Sequence, residues 1–279
     1  MALKEVIEIF RPLNALMGAV GVISGVVIAG GTSALTANIF YVLLGALAAV
    51  FYTGGGNSLN DYFDLEVDRK NHPDRPLPSG RMKPRSALII GVFGFALSLI
   101  LSLPLGLYPF IIMSLAVGLL TSYELFLKMR GLPGNIAIAI IVSLAFPYGG
   151  AITGITPALW VFFTMSALSN LGREIIKDVE DVEGDFNRST LPKKIGVRGA
   201  SQLSASLTIA AVLISPIPAL LGYFTGAGLY AYTALVAAAD LMFILSVKEI
   251  IRVGEGVSKK MKLAMLLGLV AFILGAALS

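Results

Sequence analysis

Long apolar runs alternate with short polar segments along the whole chain. A transmembrane helix needs about 20 mostly apolar residues to cross the hydrocarbon core, and runs of that length recur from one end of the sequence to the other. They predict nine spans, at residues 12–31, 36–58, 86–104, 107–127, 134–154, 157–176, 200–222, 227–247 and 261–278. We therefore expect an all-α, polytopic membrane protein that forms a single membrane domain over residues 1–279.

The basic residues between these runs are confined to alternate connections. All 21 Lys and Arg residues lie near the N-terminus, after the second, fourth and sixth predicted spans, or between the eighth and ninth. The connections near 31–36, 104–107, 154–157 and 222–226 contain none. Because Lys and Arg accumulate on the cytoplasmic side of membrane proteins, this alternation predicts a multi-pass protein of the cell membrane with a cytoplasmic N-terminus.

Composition agrees with a membrane protein and excludes several kinds of site. Only 14% of the residues are charged and 56% are hydrophobic, with a mean hydropathy of +0.85, whereas about 25% of the residues of a soluble domain are charged. The absence of cysteine excludes disulfides and thiolate metal sites. His72 is the only histidine, so a zinc site is not expected, and no nucleic-acid partner is expected either.

Two polar segments carry the same acidic pattern, D-x2-D-x3-D. The carboxylates are Asp61, Asp64 and Asp68 after the second predicted span and Asp178, Asp181 and Asp185 after the sixth, with an offset of 117 residues at each position. Both segments continue into a basic stretch that contains a Leu-Pro pair. The pattern predicts a parallel repeat, with spans 1–4 in residues 1–130 and spans 5–8 plus the ninth span in residues 131–279.

The acidic residues are more clustered than membrane orientation requires. Of the 17 Asp and Glu residues, all but Asp240 lie on the basic side, although carboxylates contribute little to orientation. A single acidic pair at a helix end is usually a solvated cap. Two matching copies beside Arg and Lys instead favour a site for Mg²⁺ and phosphate, because Mg²⁺ takes one or two carboxylates together with substrate phosphates. A substrate with a charged head and a long apolar tail, such as an allylic prenyl diphosphate, would suit this position.

Beyond this pattern, the motifs resemble those of the UbiA superfamily of intramembrane prenyltransferases. Asn60, Asp64 and Asp68 form N-x3-D-x3-D within NDYFDLEVD, and Asp181 and Asp185 form D-x3-D within KDVEDVEGD. The string RPLN at 11–14 is similar to the opening signature of the superfamily. The resemblance extends over essentially the whole chain and implies nine helices with the two acidic segments on the cytoplasmic side.

Three further strings resemble the archaeal branch of this superfamily that builds ether lipids. They are DRPLPSGR at 74–81, LKMRGLPGN at 127–135 and NLGREIIKDVEDVEGD at 170–185. This resemblance implies transfer of a geranylgeranyl group from geranylgeranyl diphosphate to the free glycerol hydroxyl of geranylgeranylglyceryl phosphate. The product would contain the second ether bond of archaeal membrane lipids, and the partners would be these two substrates and the surrounding lipids.

The resemblance also implies a role for individual residues. Asn60, Asp64 and Asp68 are expected to hold one Mg²⁺, and Asp181 and Asp185 a second. Asp61 and Asp178 are candidates for supporting these ligands or for the base that accepts the hydroxyl proton. The expected diphosphate clamp consists of Lys128, Arg75, Lys177 and Tyr123, and the candidates for binding the acceptor phosphate are Arg11, Asn14, Arg69 and Arg173.

Several alternatives remain open at this level. The acceptor could be aromatic, as in quinone, haem or chlorophyll pathways. A transporter for divalent cations or phosphorylated solutes and a lipid phosphotransferase are less favoured. Asp240 has two equal interpretations, a functional intramembrane carboxylate or a partner of a neighbouring helix. Small residues either leave room for a tail or allow close helix packing, namely Gly18, Gly21, Gly25, Gly45 and Gly54–Gly56. The oligomeric state is not indicated by the sequence.

Overall fold

The computed structural model describes residues 3–182, 189–252 and 256–279. In these residues the chain forms thirteen α-helices and no β-strand. The first seven are α1 (Leu3–Phe10), α2 (Pro12–Ala37), α3 (Ile39–Phe63), α4 (Leu65–Asn71), α5 (Pro84–Ser102), α6 (Leu107–Ser122) and α7 (Leu132–Ser143). The other six are α8 (Ala145–Gly150), α9 (Pro157–Glu180), α10 (Leu191–Ile214), α11 (Ile217–Leu220), α12 (Gly226–Ile251) and α13 (Val257–Ala277). The predicted all-α class is confirmed.

Seven helical segments of the described chain are long and apolar enough to cross a membrane. They are Pro12–Ala37, Ile39–Phe63, Pro84–Leu105, Leu107–Arg130, Leu132–Gly150, Leu191–Leu220 and Val257–Ala277. The helices α9 and α12 occupy the positions of the sixth and eighth predicted spans but are not among these seven. The structure therefore confirms a membrane protein, while the count of nine spans stays a prediction.

The helices begin and bend where the sequence offers Pro or Gly. A proline lies in the first turn of α2, α5 and α9, where the missing N–H costs no intrahelical hydrogen bond. The predicted fifth span is divided into α7 and α8. α2 is kinked near its end at Gly31, which has a φ of 70°, a conformation that glycine adopts without steric cost.

The helices pack through small residues in the first half of the chain. α3 lies between α2 and α5, and its Gly55 approaches Gly91 and Gly94 of α5. A Cβ atom on Gly94 would lie 2.8 Å from the carbonyl oxygen of Phe51. Small residues let helix backbones come this close, so α3 is held tightly and the position of its C-terminal end, which carries the first acidic segment, is fixed.

The short helix α1 is clamped to the loop that follows α4. Ile9 of α1 is buried together with Leu77 and Met82 of that loop. The Arg81 guanidinium donates two hydrogen bonds to the Glu8 carboxylate, both at 2.8 Å, and a third to the Asp74 carbonyl oxygen at 2.6 Å. This clamp fixes the loop that also carries Arg75.

We expect the clamp to weaken in acid. The hydrogen bond from Arg81 holds the pKa of Glu8 below its ordinary value of 4.5. A carboxyl with a lowered pKa in the folded state stabilises that state above its unfolded pKa, and the stabilisation is lost as the pH falls through the folded pKa. Amide protection factors for α1 should therefore fall as the pH drops below 4.5. Glu8→Gln should show lower protection at neutral pH and a smaller fall in acid, and an equal fall would assign the effect to another group.

Candidate active site

A cavity of about 570 Å³ lies inside the helix bundle. Most of its wall is apolar, and its charged and amide side chains, apart from Asn170 and Asp240, come from one end of the bundle. That end is formed by the N-terminal turns of α2 and α13, the C-terminal turns of α3 and α9, and the turn that follows α6. The polar lining residues there are Arg11, Asn14, Asn57, Asn60, Tyr123, Glu124, Arg173, Glu174, Lys177 and Lys262.

The first acidic segment lies at the junction of α3 and α4. The backbone N–H of Asp64 donates to the Asn60 carbonyl oxygen at 2.9 Å, and that of Asp68 donates to the Asp64 carbonyl oxygen at 2.8 Å. The helical path thus continues through the junction, so Asn60, Asp64 and Asp68 follow one another at intervals of one turn. Side chains spaced in this way share a face of a helix, as the N-x3-D-x3-D spacing predicts.

Arg11 reaches the site from a strained turn between α1 and α2. Its φ of 50° makes it the only non-glycine residue of the described chain with a positive φ, a conformation that costs about 1–2 kcal/mol. The turn is held by a hydrogen bond from Asn57 Nδ2 to the Phe10 carbonyl oxygen at 2.9 Å, and the Arg11 guanidinium donates to Asp61. Strain of this kind is concentrated at functional sites, and here it directs a cation into the cavity wall.

Two arginines hold the outer carboxylates of the first acidic segment. The Asp61 side chain is only 2% exposed and forms ion pairs with Arg11 and with Arg75 Nη1, the second at 3.7 Å. Arg75 also donates to Asp68 Oδ2 at 2.6 Å. Removing one partner of a buried ion pair leaves an uncompensated charge. The contacts therefore link α2, α3, α4 and the following loop into one charged network.

A second branch of charges involves the middle carboxylate. Lys128 Nζ donates to Asp64 Oδ2 and to Glu124 Oε2, both at 2.8 Å. Asn60 Nδ2 donates to the other oxygen of Glu124 at 3.0 Å. Glu124 lies in a single π-helical turn, Tyr123–Leu127, that follows α6, and such turns are frequent at functional sites. The cation of Lys128 is thus shared between two carboxylates that come from different parts of the chain.

The second acidic segment lies at the end of α9. Asp178 Oδ2 accepts a hydrogen bond from Asn135 Nδ2 of α7 at 2.9 Å. Asp181 ends the helix, with its N–H donating to the Lys177 carbonyl oxygen at 2.9 Å. Asp185, the last carboxylate of the pattern, lies outside the described residues. On the same helix, Arg173 forms an ion pair with Glu174.

The structure brings most of the predicted site residues to this end of the bundle. Arg11, Asn14, Asn60, Tyr123, Arg173 and Lys177 line the cavity, and Asp61, Asp64, Asp68, Arg75 and Lys128 belong to the adjoining charged network. Arg69 lies apart from them, since its side chain is 58% exposed and pairs with Glu66 on the surface of α4.

Three contributors are not predicted from the sequence. Glu124 precedes Lys128 by four residues, a spacing that signals a helical ion pair, but it falls within a predicted span. Asn135 carries no charge that would draw attention to it. Lys262 belongs, in the sequence, only to the basic group before the ninth predicted span, and it lines the cavity in the structure.

Asp240 shows features of both interpretations that the sequence left open. Asp240 lines the cavity and accepts a hydrogen bond from Ser215 at 2.5 Å, so the predicted pairing with a neighbouring helix is present alongside access to the cavity.

The predicted glycines divide into two groups, and Gly18, Gly21 and Gly56 line the cavity. Gly25 and Gly54 instead lie at close contacts, because a Cβ there would lie 2.3 Å from the Phe146 carbonyl oxygen and 2.2 Å from the Phe10 ring, respectively.

The donor set of the first segment suits a hard divalent cation. Its side chains offer carboxylate and amide oxygens, which Mg²⁺ prefers, and the Lys128 ammonium already lies between the oxygens of Asp64 and Glu124. In the described ranges no cluster of three or more His, Cys, Asp or Glu side chains could hold a metal.

Comparison with known proteins identifies relatives along the whole chain. The model of the UbiA prenyltransferase family matches residues 18–266. Digeranylgeranylglyceryl phosphate synthase of Methanosphaera stadtmanae is 35% identical over 277 residues, which cover 97% of this chain and 98% of the relative. The protein of the same name from Methanothermobacter thermautotrophicus is 37% identical, with coverage of 96% and 95%.

Solved structures give the same result. A structure described as that of digeranylgeranylglyceryl phosphate synthase is 33% identical and has a TM-score of 0.78, covering 99% of this chain and 98% of that chain. A UbiA homolog from Archaeoglobus fulgidus bound to GPP and Mg²⁺ is 18% identical, with a TM-score of 0.76 and coverage of 98% and 99%, and it supports the fold alone. The chain belongs to the UbiA prenyltransferase family.

Proposed function

We propose that the protein transfers a geranylgeranyl group from geranylgeranyl diphosphate to the free glycerol hydroxyl of geranylgeranylglyceryl phosphate. The observation that carries this proposal is a network of carboxylates and cations at the polar end of a deep apolar cavity of about 570 Å³. A diphosphate head can be held at that end while a prenyl tail lies among the apolar helices. The relatives that share 35% and 37% identity over nearly the whole chain carry the name of this activity.

The metal would be Mg²⁺, held at both acidic segments. Asn60, Asp64 and Asp68 are the proposed ligands of one ion, and Asp181 and Asp185 those of a second. Bound there, the metal would supply charge neutralisation that favours departure of the diphosphate. The homolog from Archaeoglobus fulgidus described as bound to GPP and Mg²⁺ supports a divalent cation in this fold.

The cations of the site would change partners when the diphosphate binds. Lys128 now pairs with Asp64 and Arg75 with Asp68, so both ammonium and guanidinium lie beside the proposed metal ligands. If Asp64 and Asp68 held the metal, Lys128 and Arg75 would donate to the phosphate oxygens, together with Lys177 and Tyr123. Before the substrate binds, these ion pairs would balance the negative charge of the carboxylates.

The transfer step exchanges one C–O bond for another. The bond between the donor's C1 and the diphosphate oxygen breaks with its electron pair on the diphosphate, and the acceptor's hydroxyl oxygen forms the ether bond to C1. The hydroxyl proton is released to a base, for which Asp61 and Asp178 are the candidates. Asp178 accepts a hydrogen bond from the amide of Asn135, and Asp61 is held by two arginines.

Water must be kept from the electron-deficient carbon during this step. Below its polar end the cavity is lined by aliphatic and aromatic side chains, among them Met17, Ile112 and Phe243. Such a wall holds the tail and excludes bulk water. A hydroxyl of the bound acceptor would then be the nearest nucleophile.

The membrane arrangement proposed for this reaction is nine spans with a cytoplasmic active site. The two acidic segments end α3 and α9, the second and sixth spans of a parallel repeat in which residues 1–130 and 131–279 form the halves. α3 packs between α2 and α5, and α9 packs against α7 and α10, so each acidic helix has corresponding neighbours in its own half. That correspondence supports the repeat, and the distribution of Lys and Arg supports the orientation.

An acceptor panel tests the proposal. Purified protein with Mg²⁺ and geranylgeranyl diphosphate should form an ether only with geranylgeranylglyceryl phosphate when this lipid, a hydroxybenzoate, a dihydroxynaphthoate and haem are offered separately. Extracted products would be identified by mass spectrometry, and a chelator should abolish the reaction. Product with an aromatic acceptor alone would move the protein to another branch of the family.

A further inference from the structure

Lys262 is a cationic side chain in the cavity wall, and the reaction proposed above gives it no role. It lies in the second turn of α13, lines the cavity and is half-buried. Its Nζ donates to Asn14 Oδ1 at 3.1 Å. Within residues 3–182, 189–252 and 256–279, no carboxylate forms an ion pair with Lys262, so its identified partner is a neutral amide. A half-buried ammonium in this setting can accommodate an anion.

Three helices place Lys262, Asn14 and Arg173 on the wall of one cavity. Asn14 comes from the first turn of α2, Arg173 from α9 and Lys262 from α13, and all three line the same cavity. The three helices also contact one another. Glu180 of α9 accepts hydrogen bonds from the backbone N–H of Ser258 at 3.0 Å and from its hydroxyl at 2.5 Å. The start of α13 is therefore fixed to α9, which sets the position of Lys262 relative to Arg173.

Lys262 comes from a helix that supplies none of the groups assigned to the diphosphate. The proposed diphosphate clamp consists of Lys128 and Tyr123, which follow α6, Arg75, which follows α4, and Lys177 of α9. Arg173 lies on α9 four residues before Lys177, whereas Lys262 belongs to α13 and Asn14 to α2. A donor diphosphate held with its metal by the acidic segments needs no further cation from α13. A second phosphorylated substrate in the same cavity does need one.

We propose that Lys262, with Arg173 and Asn14, binds the phosphate of the acceptor and selects a glycerol phosphomonoester over an uncharged glycerol lipid. This assignment rests on the proposed function and names the acceptor side of its site. The guanidinium of Arg173 offers paired donors that match phosphate oxygens, the ammonium of Lys262 adds a charged donor, and the amide of Asn14 adds a neutral one. Arg11 and Arg173 are each engaged by a carboxylate, Asp61 and Glu174 respectively, so Lys262 is the cation of this wall whose identified partner is a neutral amide.

Steady-state kinetics of Lys262→Met test the assignment. The variant keeps the length of the side chain and removes its charge. Because hydrogen bonds to charged groups are the stronger ones, we expect KM for geranylgeranylglyceryl phosphate to rise about tenfold. KM for geranylgeranyl diphosphate and kcat should stay at wild-type values. Lys262→Arg should restore most of the acceptor KM, because it restores the charge.

Lys260→Met is the matched control on the same helix. Lys260 is 53% exposed and pairs with Glu249 at 2.6 Å, away from the cavity, so both KM values should stay at those of the wild type. A second comparison uses geranylgeranylglycerol, the acceptor without its phosphate. The wild type should prefer the phosphorylated acceptor strongly, and Lys262→Met should lose most of that preference. An unchanged acceptor KM, or equal rises in both KM values, would overturn the assignment.

Failure of the proposed function can be distinguished from failure of the phosphate-site assignment. If the wild type forms no ether from geranylgeranylglyceryl phosphate, calorimetric titration with that lipid still examines the site. Saturable binding to the wild type that weakens in Lys262→Met but not in Lys260→Met would retain the phosphate site. Absence of binding, or equal binding to all three proteins, would remove it.

Discussion

Asp64→Ala is expected to reduce prenyl transfer about a thousandfold or more, to the background of the assay, while the protein stays folded. Asp64 is the middle ligand of the proposed first metal site, and loss of a group that stabilises developing charge costs about 10²–10³-fold in turnover, to which loss of metal would add. Lys128 would still pair with Glu124 at 2.8 Å, so its cation keeps a partner. Asp181→Ala should have a similar effect at the second site.

The measurement is product formation at saturating Mg²⁺ and both substrates, with the thermal unfolding midpoint as the check on folding. Glu66→Ala is the matched control, because Glu66 lies two residues away with a side chain that is 80% exposed and pairs with Arg69. Exposed ion pairs of this kind contribute about 0.2–1 kcal/mol, so turnover should not change. Near-normal activity in Asp64→Ala, or an equal loss in Glu66→Ala, would contradict the assignment.

Gly268→Phe is expected to lower kcat/KM for the geranylgeranyl substrates about a hundredfold. Gly268 lies on α13 and lines the cavity, and a Cβ atom there would meet no atom within 4 Å. The helix can therefore carry a side chain at this position, but the ring would occupy space needed by a tail. Overpacking a protein core costs about 1–3 kcal/mol, and the same cost imposed on a bound tail would correspond to as much as a hundredfold change in kcat/KM. Geranyl diphosphate, whose tail is half as long, should be affected less.

Gly118→Phe provides the comparison on another helix. A Cβ atom on Gly118 of α6 would likewise meet no atom within 4 Å, yet this glycine is exposed and does not line the cavity. Activity with both donor lengths should match the wild type. If Gly118→Phe and Gly268→Phe lose activity equally, or if the two donors are affected equally by Gly268→Phe, the cavity around Gly268 does not hold a prenyl tail.

The first acidic segment shows which features of the site can be predicted from residue spacing along one helix. Residues one helical turn apart share a face, so the alignment of Asn60, Asp64 and Asp68 follows from sequence alone. Their partners do not, because Arg11 and Lys128 lie 50 and 64 residues from the carboxylates they contact. Such contacts depend on how α2, α3 and the turn after α6 pack. No pattern within one segment contains that information.

The position of Lys262 in the cavity wall is even less predictable from the sequence. In the sequence it belongs to a basic group before a predicted span, and such groups are sufficiently explained by membrane orientation. Its contact with Asn14 joins residues 248 positions apart and exists only because α13 packs against α2 and α9. The roles of the glycines also depend on helix packing, because Gly56 lines the cavity whereas Gly54, two residues earlier, packs against Phe10.

The membrane class, the positions of the long helices and the two acidic segments could be predicted from the amino-acid sequence, because apolar length and side-chain spacing are local properties that act within one helix. The packing of the helices determines which cations hold which carboxylates, which glycines border the cavity and where Lys262 lies. These features depend on contacts between helices far apart in the chain, and in a bundle such contacts are fixed by packing and not by the local sequence.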